Sequence, residues 1–505
     1  LRIVCFEQGS ISKQSEYPSK STDWELSRSD KFSFDPNVRK NPADYPIDDS
    51  NSPISIANFN GFGGSTILYS AHFPRFHPSD FRVKTLDNVA SDWPLNYSDL
   101  IPFFNENEKM MGVAGLIGDT ANTNYDNLLP PVPLGEMGKV IANSFNEKKW
   151  HWWPSYAAIN TSKHKDRASC INLGPCNIGC SQGAKGSVDV TYWPIARKNG
   201  VQVITESRVY EITLDSKGLA DGVMYIDASG NECKCKAKIV IIACSGIGTP
   251  RLLLNSKSTA FPDGLLNDNG LVGRNLMLHP LAYVEGVFER DLKSSIGPHG
   301  CCILSQEFYE TRAEHDFLRG YTMQILRGAP PIETAISGYL MRQLSTGKRH
   351  HKDFKKLFNH TAGIAIISED LPKLNNRVEL DFENKDSCGM PGVKVHYELS
   401  NNTKNILKHG INMSKEVLSS AGAKVTSSFS PVRNSGWHLM GTACMGTNPQ
   451  KSVVNKYGQA HQVKNLFIVD SSVFVTSGAV NPVATAQAIT LFACNYIREN
   501  IAKLS

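Results

Sequence analysis

The stretch that most constrains this chain lies near its C-terminus, residues 434–488. An apolar run there, Asn465 to Asp470 (NLFIVD), ends in an acid and reads as a buried strand. A Ser/Gly-rich loop follows, and Asn481-Pro482 then opens a long apolar helical pattern, VATAQAITLFACNYI. Proline suits a helix start because its missing N–H would be unpaired there. A helix start collects unpaired N–H groups and a positive dipole end, and so holds an anion or an electron-rich ring edge. Upstream, His438 sits in a Gly-flanked loop, WHLMGTACMG. Strand, loop and helix together let His438 and Asn481 converge beside one helix start. Taken singly, a lone His is more often structural, and Asn before Pro is usually a turn or cap.

At 505 residues the chain is long enough for two or three domains, or two interleaved ones. Its net charge of +5 is too mild for a nucleic-acid partner. The one basic cluster, Lys348 to Lys352 with Lys355 and Lys356, reads as a solvated face or loop. No apolar run approaches the ~18 residues of a membrane helix, and no signal peptide is visible. The 12 cysteines are mostly scattered, which excludes a small disulfide framework. These features leave the compartment open between cytoplasm and periplasm.

Along the chain, Leu1 to Gly9 (LRIVCFEQG) reads as a strand ending in Glu7 and then Gly. Residues 10–57 are polar and read as loops. Residues 58–75, NFNGFGGSTILYSAHFPR, hold Gly61-x-Gly63-Gly64-Ser65-Thr66, where backbone without a Cβ can closely approach a planar or phosphate group. Asp92 to Glu108 reads as a turn, a cap and an amphipathic helix. Cys170, Cys176 and Cys180 are spaced C-x5-C-x3-C. Three readings stay open for them: an iron–sulfur centre, a zinc site completed by a residue such as His164, or free buried cysteines. His279, in GLVGRNLMLHP, reads as structural. Between 281 and 430, six strand-like pieces and one polar helical pattern point to an antiparallel sheet of α+β type.

The string HLMGT, NLFIVDSSVF and NPVATAQA resembles the C-terminal signature of glucose–methanol–choline oxidoreductases. The Gly-rich segment and WPLNYSDLIPF resemble further segments of that family, and the cysteine stretch is similar to bacterial flavin-linked glucose and gluconate dehydrogenase subunits. The resemblance implies an α/β, Rossmann-like, discontinuous FAD domain plus an α+β substrate domain with an antiparallel sheet. The FAD domain would take in residues 1–80, 166–280 and 431–505, with a helical and loop insertion at 81–165 and the substrate domain at 281–430.

It further implies oxidation of an alcohol by hydride transfer to FAD N5. His438 would take the hydroxyl proton and Asn481 would hold the substrate oxygen. Glu7 would meet the adenosine ribose, and Val209 the adenine. Gly63, Gly64, Ser65, Thr66 and Tyr69 would pass the flavin and pyrophosphate, and Asp470, Asn481, Pro482 and Val483 would face the flavin. Some relatives attach FAD through a His at the position of Leu68, so a non-covalent flavin is expected. The cysteines imply an iron–sulfur cluster and electron transfer to an acceptor subunit or cytochrome. No G-x-G-x-x-G turn precedes Glu7, so an N-terminal truncation is expected. An oxygen-using oxidase and a non-catalytic flavoprotein remnant are the alternatives.

Overall fold

The computed structural model describes residues 1–26, 31–122 and 125–504. Two short parallel strand pairs begin the nucleotide-type half. Val4–Phe6 pairs with Gln202–Ile204, and Val240–Ile242 with Leu466–Ile468. An antiparallel three-stranded sheet, Arg208–Leu214, Ala220–Ile226 and Glu232–Lys236, adjoins them. The NLFIVD run forms the buried strand that its composition requires, with Leu466, Phe467 and Ile468 wholly inaccessible. Helix Val483–Leu504 follows and packs on helix Tyr97–Met111, where Phe103 meets Phe492 edge-on at 5.6 Å. The Tyr97–Met111 helix starts on an Asn96/Asp99 capping box and ends at Gly112, whose φ of +73° reverses the chain.

The other half is a six-stranded sheet in the order Val425–Phe429, Leu281–Val287, Thr361–Ser368, Tyr321–Leu326, Cys301–Ser305, Trp153–Pro154. Every pairing in it is antiparallel. Thr361–Ser368 is buried along its whole length because both of its faces are covered. Ile364 and Ile366 point to helix Asn401–Ser420, while Ala365 and Ile367 join Leu281 on the opposite face. Ser400 caps that helix by accepting from the Thr403 N–H at 3.0 Å.

Two of the six strand-like pieces are not in this sheet. Arg377–Lys385 and Pro391–His396 form a hairpin that Ile47–Asn51 extends in parallel. Ile47–Asn51 (IDDSN) lies in the segment read as loop. It joins through backbone pairing, which its polar side chains do not announce.

Beneath both halves lies a buried ionic knot. Arg319 reaches Asp80 at 2.6 Å, Glu369 at 3.0 Å, Asp87 at 3.2 Å and Glu310 at 3.4 Å. Asp80 also accepts from the Tyr309 hydroxyl at 2.7 Å, and its backbone carbonyl accepts from Thr476 Oγ at 2.9 Å. The knot therefore supports the loop between the C-terminal strand and helix. Arg319→Met would strand Asp80 and Glu369 as uncompensated buried carboxylates. Loss of a buried partner costs about 3–5 kcal/mol, and chemical denaturation should show a loss of that size; a loss within error would refute it.

Candidate active site

The site is assembled where the Leu466–Ile468 strand ends. Asp470 accepts from Ser472 N–H at 2.8 Å, Ser245 N–H at 3.1 Å and Thr249 Oγ at 2.6 Å. Burial pushes its pKa up, and these hydrogen bonds pull it back. Helix Ser245–Asn255 thus begins against the strand end, and its Gly246 lies on the backbone of Leu439. That contact fixes the segment carrying His438.

A short antiparallel bridge brings a second histidine to the first. Met277 and Met440 exchange backbone hydrogen bonds at 3.0 and 3.1 Å. Two residues from each Met, the side chains of His279 and His438 meet. Their Nδ1 atoms are 3.0 Å apart and their rings meet at 86°. On its far side His279 Nε2 lies 2.7 Å from the Gly478 carbonyl oxygen and 3.0 Å from that of Ser477. On the near side Asn481 Nδ2 is 3.3 Å from His438 Nε2. The structure therefore brings His438 and Asn481 into one small space.

Asn481 is itself oriented, because its Oδ1 accepts from Gln324 Nε2. Gln324 lies on Tyr321–Leu326, whose Tyr321, Met323 and Ile325 face the core under helix Asn401–Ser420. Period-2 alternation turns Gln324 to the other face, over the site. The helix begins at Val483, one residue beyond the expected start, and the Pro482 carbonyl accepts from Ala486 N–H at 2.9 Å. The amides of residues 483–485 have no intrahelical acceptor and gather at that end.

Burial governs the charge state of the imidazoles. Desolvation pushes His279 down to about 4, and it pushes His438 well below 6.5 with further help from His279 and His72. His72 is held down to about 4, first by burial and then by His299. All three are neutral at neutral pH. From the sequence alone His279 reads as structural, and no motif marks His72 or Gln324. A polar residue inside the apolar pattern YTMQIL was the one available signal for Gln324.

The remaining residues expected at a cofactor lie on other segments. Glu7 follows Val4–Phe6, accepts from the Gly9 N–H at 2.7 Å, and has its pKa raised by burial. Val209 is half-buried opposite Tyr225. Gly63 and Gly64 take φ values of +104° and +55°, and the space where a Gly64 Cβ would stand is open. This is the bare backbone cradle that a planar or phosphate group needs. Ser65 Oγ accepts from the Phe59 N–H at 3.2 Å. Thr66 Oγ accepts from Val188 N–H at 3.1 Å and donates to the Gly63 carbonyl at 2.6 Å. Tyr69 donates its hydroxyl to the Gly186 carbonyl at 2.6 Å, so that group is committed to the fold.

Of the three readings for the cysteines, the iron–sulfur and zinc ones find no support, and the thiols are free. Among the described residues no three His, Cys, Asp or Glu side chains are grouped to hold a metal ion. Cys170 Sγ accepts a local hydrogen bond from the Asn172 N–H at 3.3 Å. Burial drives the Cys176 thiol up to about 12. The zinc candidate His164 lies 2.8 Å from the Lys109 carbonyl oxygen instead. The loop is held by buried Lys185, whose ammonium donates to the carbonyls of Ile67 (2.7 Å), Tyr69 (3.0 Å) and Cys176 (2.7 Å).

Two family models match the chain. The N-terminal GMC oxidoreductase model covers residues 49–281, and the C-terminal one covers 372–490. The chain belongs to the GMC oxidoreductase family. It is 37% identical to 2-methyl-1,2-propanediol dehydrogenase of Mycolicibacterium austroafricanum, over all of this chain and 92% of that protein. It is 27% identical to the fructose dehydrogenase large subunit of Gluconobacter japonicus, over 87% and 81% of the two chains. The crystal structure of a pyridoxine 4-oxidase has the same fold, with a TM-score of 0.66 at 15% identity, over 98% of this chain and 94% of that one.

As a GMC oxidoreductase the chain is an FAD enzyme of alcohol oxidation, and its α/β half with a separate antiparallel sheet is the family architecture. The open space beside Gly64 and the amides at the start of the 483–504 helix fit such a cofactor. The expected N-terminal truncation is not borne out by these matches. Among the described residues no helix is long and apolar enough to cross a membrane.

Gly246 gives a structural test. A Cβ there would lie 2.6 Å from the Leu439 carbonyl, so Gly246→Ala must displace the segment that carries His438. Overpacking of this kind costs about 1–3 kcal/mol. Thermal unfolding should show that loss together with slower flavin reduction; a variant with wild-type stability and rate would contradict this packing.

Proposed function

We propose that this enzyme oxidises a small primary or secondary alcohol of diol, polyol or sugar type to the carbonyl compound. FAD is held non-covalently, and the electrons leave to an acceptor other than oxygen, such as a cytochrome or a redox subunit. The observation that carries the chemistry is the His438–Asn481 pair. When bound, FAD supplies the hydride acceptor. His438 is neutral and partly accessible, so its ring nitrogen can take the hydroxyl proton as a general base. Asn481 aims an N–H at the same space, because Gln324 holds the amide oxygen and fixes which end faces inward. That N–H stabilises the negative charge that grows on the substrate oxygen.

Leu68 supports the non-covalent reading. It has no nucleophilic atom, and it packs in an apolar cluster with Tyr17 and Phe32. The acceptor and substrate readings take support from the relatives, since the protein 37% identical to this chain is named a dehydrogenase of a diol. The assembled His–Asn pair speaks against a non-catalytic remnant.

The test is anaerobic stopped-flow reduction of the FAD-loaded enzyme by excess alcohol. His438→Ala should lower the rate by about 10²-fold or more, and Asn481→Ala should also slow it, with FAD content near normal in both. Reduction of His438→Ala at the wild-type rate would refute the assignment. In air, turnover should need an added artificial acceptor; stoichiometric peroxide release would instead favour the oxidase reading.

A further inference from the structure

We propose that His279 is a positioning residue that fixes the tautomer of His438 and so makes Nε2 of His438 the proton-accepting atom. The inference rests on the reading of His438 as the base, and deepens it.

The argument follows hydrogens from the protein interior outward. Two carbonyl oxygens, of Gly478 at 2.7 Å and Ser477 at 3.0 Å, face His279 Nε2. Carbonyls only accept, so Nε2 carries the hydrogen. A neutral imidazole has a single N–H, which leaves a lone pair on His279 Nδ1. That lone pair points at His438 Nδ1, 3.0 Å away. Two lone pairs cannot bond, so His438 carries its hydrogen on Nδ1 and donates it to His279. The lone pair of His438 is then on Nε2, where the Asn481 N–H approaches at 3.3 Å. This nitrogen borders the space shared with Asn481, where a substrate hydroxyl would lie. Which nitrogen of a histidine is free is set by the bond that the other makes. Burial supports the premise that both rings are neutral.

The fold is built to hold His279 in this role. His279 is 1% exposed and has a φ of +54°, a left-handed conformation uncommon for any residue but glycine. Such strain persists only where the surroundings over-determine it. Here the Leu278 N–H is bonded to Asp370 at 3.3 Å, and the Pro280 carbonyl accepts from Ser368 Oγ at 2.9 Å. The two carbonyls that receive the Nε2 hydrogen are fixed as well. Ser477 Oγ accepts from the Asp370 N–H at 2.8 Å and lies 2.9 Å from the Gly478 carbonyl oxygen.

During proton transfer the hydroxyl hydrogen moves to His438 Nε2, and the new positive charge spreads over that ring. The His438 Nδ1–H bond to His279 then becomes charge-assisted and shortens. His279 neither gains nor loses a proton.

Two measurements test the proposal. Histidine-selective 15N labelling of the FAD-loaded resting enzyme reads the tautomer directly, with the His438 signal assigned by its loss in His438→Gln. A protonated Nδ1 and a bare Nε2 are expected, and a protonated Nε2 would overturn the proposal. The second measurement compares His279→Leu, which removes the acceptor, with His279→Asn. Asparagine tolerates positive φ and can place an oxygen where Nδ1 stood.

His279→Leu should reduce its flavin about 10²-fold more slowly, with little change in the alcohol's apparent dissociation constant. His279→Asn should recover most of that loss. Wild-type reduction by His279→Leu, or no recovery in His279→Asn, would overturn the proposal while leaving the base assignment to the separate His438→Ala experiment. The resonance measurement decides the matter even if the Leu variant does not fold.

Discussion

Asp470 is the constraint on which the rest of the site depends. A buried carboxylate is tolerated only when hydrogen bonds replace its water, and Asp470 draws its three donors from two separate segments. One is the start of the 245–255 helix and the other is the turn just after the acid. The residues that follow then dictate where the segment carrying His438 runs. Ser471 Oγ donates to the Leu439 carbonyl at 2.6 Å, and Ala443 and Met445 donate to the Ser472 and Val473 carbonyls at 2.8 and 2.9 Å. His438 is therefore suspended from the end of the same strand that leads on to Asn481.

The second layer of order is a closed polar ring behind the two histidines. Tyr397 donates to Asp370 at 2.6 Å, Asp370 accepts from Leu278, and Ser477 bridges Asp370 to the loop whose carbonyls accept from His279. Low dielectric makes such a ring costly if any member is unpaired and rigid when all are paired. The Arg319 knot props the same loop from below through Asp80 and Thr476. Substrate domain and nucleotide-type half are thus joined by polar contacts at the site itself, and Gln324 of the large sheet completes them by holding Asn481.

Much of this was legible in the sequence wherever local pattern and local structure agree. NLFIVD reads as a buried strand and is one, the helix expected after Asn481-Pro482 begins at Val483, and the Gly63-Gly64 turn takes positive φ values. The first three strand-like pieces after residue 280, together with AGIAIIS, form the large antiparallel sheet that a run of strand-like pieces implies. What stayed hidden depended on partners far away in sequence. IDDSN became a strand because the Pro391–His396 strand offered it a free edge. His279 reads as structural from sequence because its partner is 159 positions distant, beyond any local window. The cysteine spacing misled for the converse reason: closeness in sequence did not group the thiols as metal ligands, and a buried lysine holds that loop instead.

The most direct test of a neutral, half-buried His438 acting as the base is the pH dependence of flavin reduction at saturating alcohol. The active form is the unprotonated ring, and burial with two neighbouring imidazoles holds its pKa well below 6.5. The rate should therefore stay level as pH falls from about 8 through the ordinary histidine range, and decline only at clearly lower pH. An acid limb with its midpoint at or above 6.5 would contradict the account, because it would mean a base that titrates like a histidine in water.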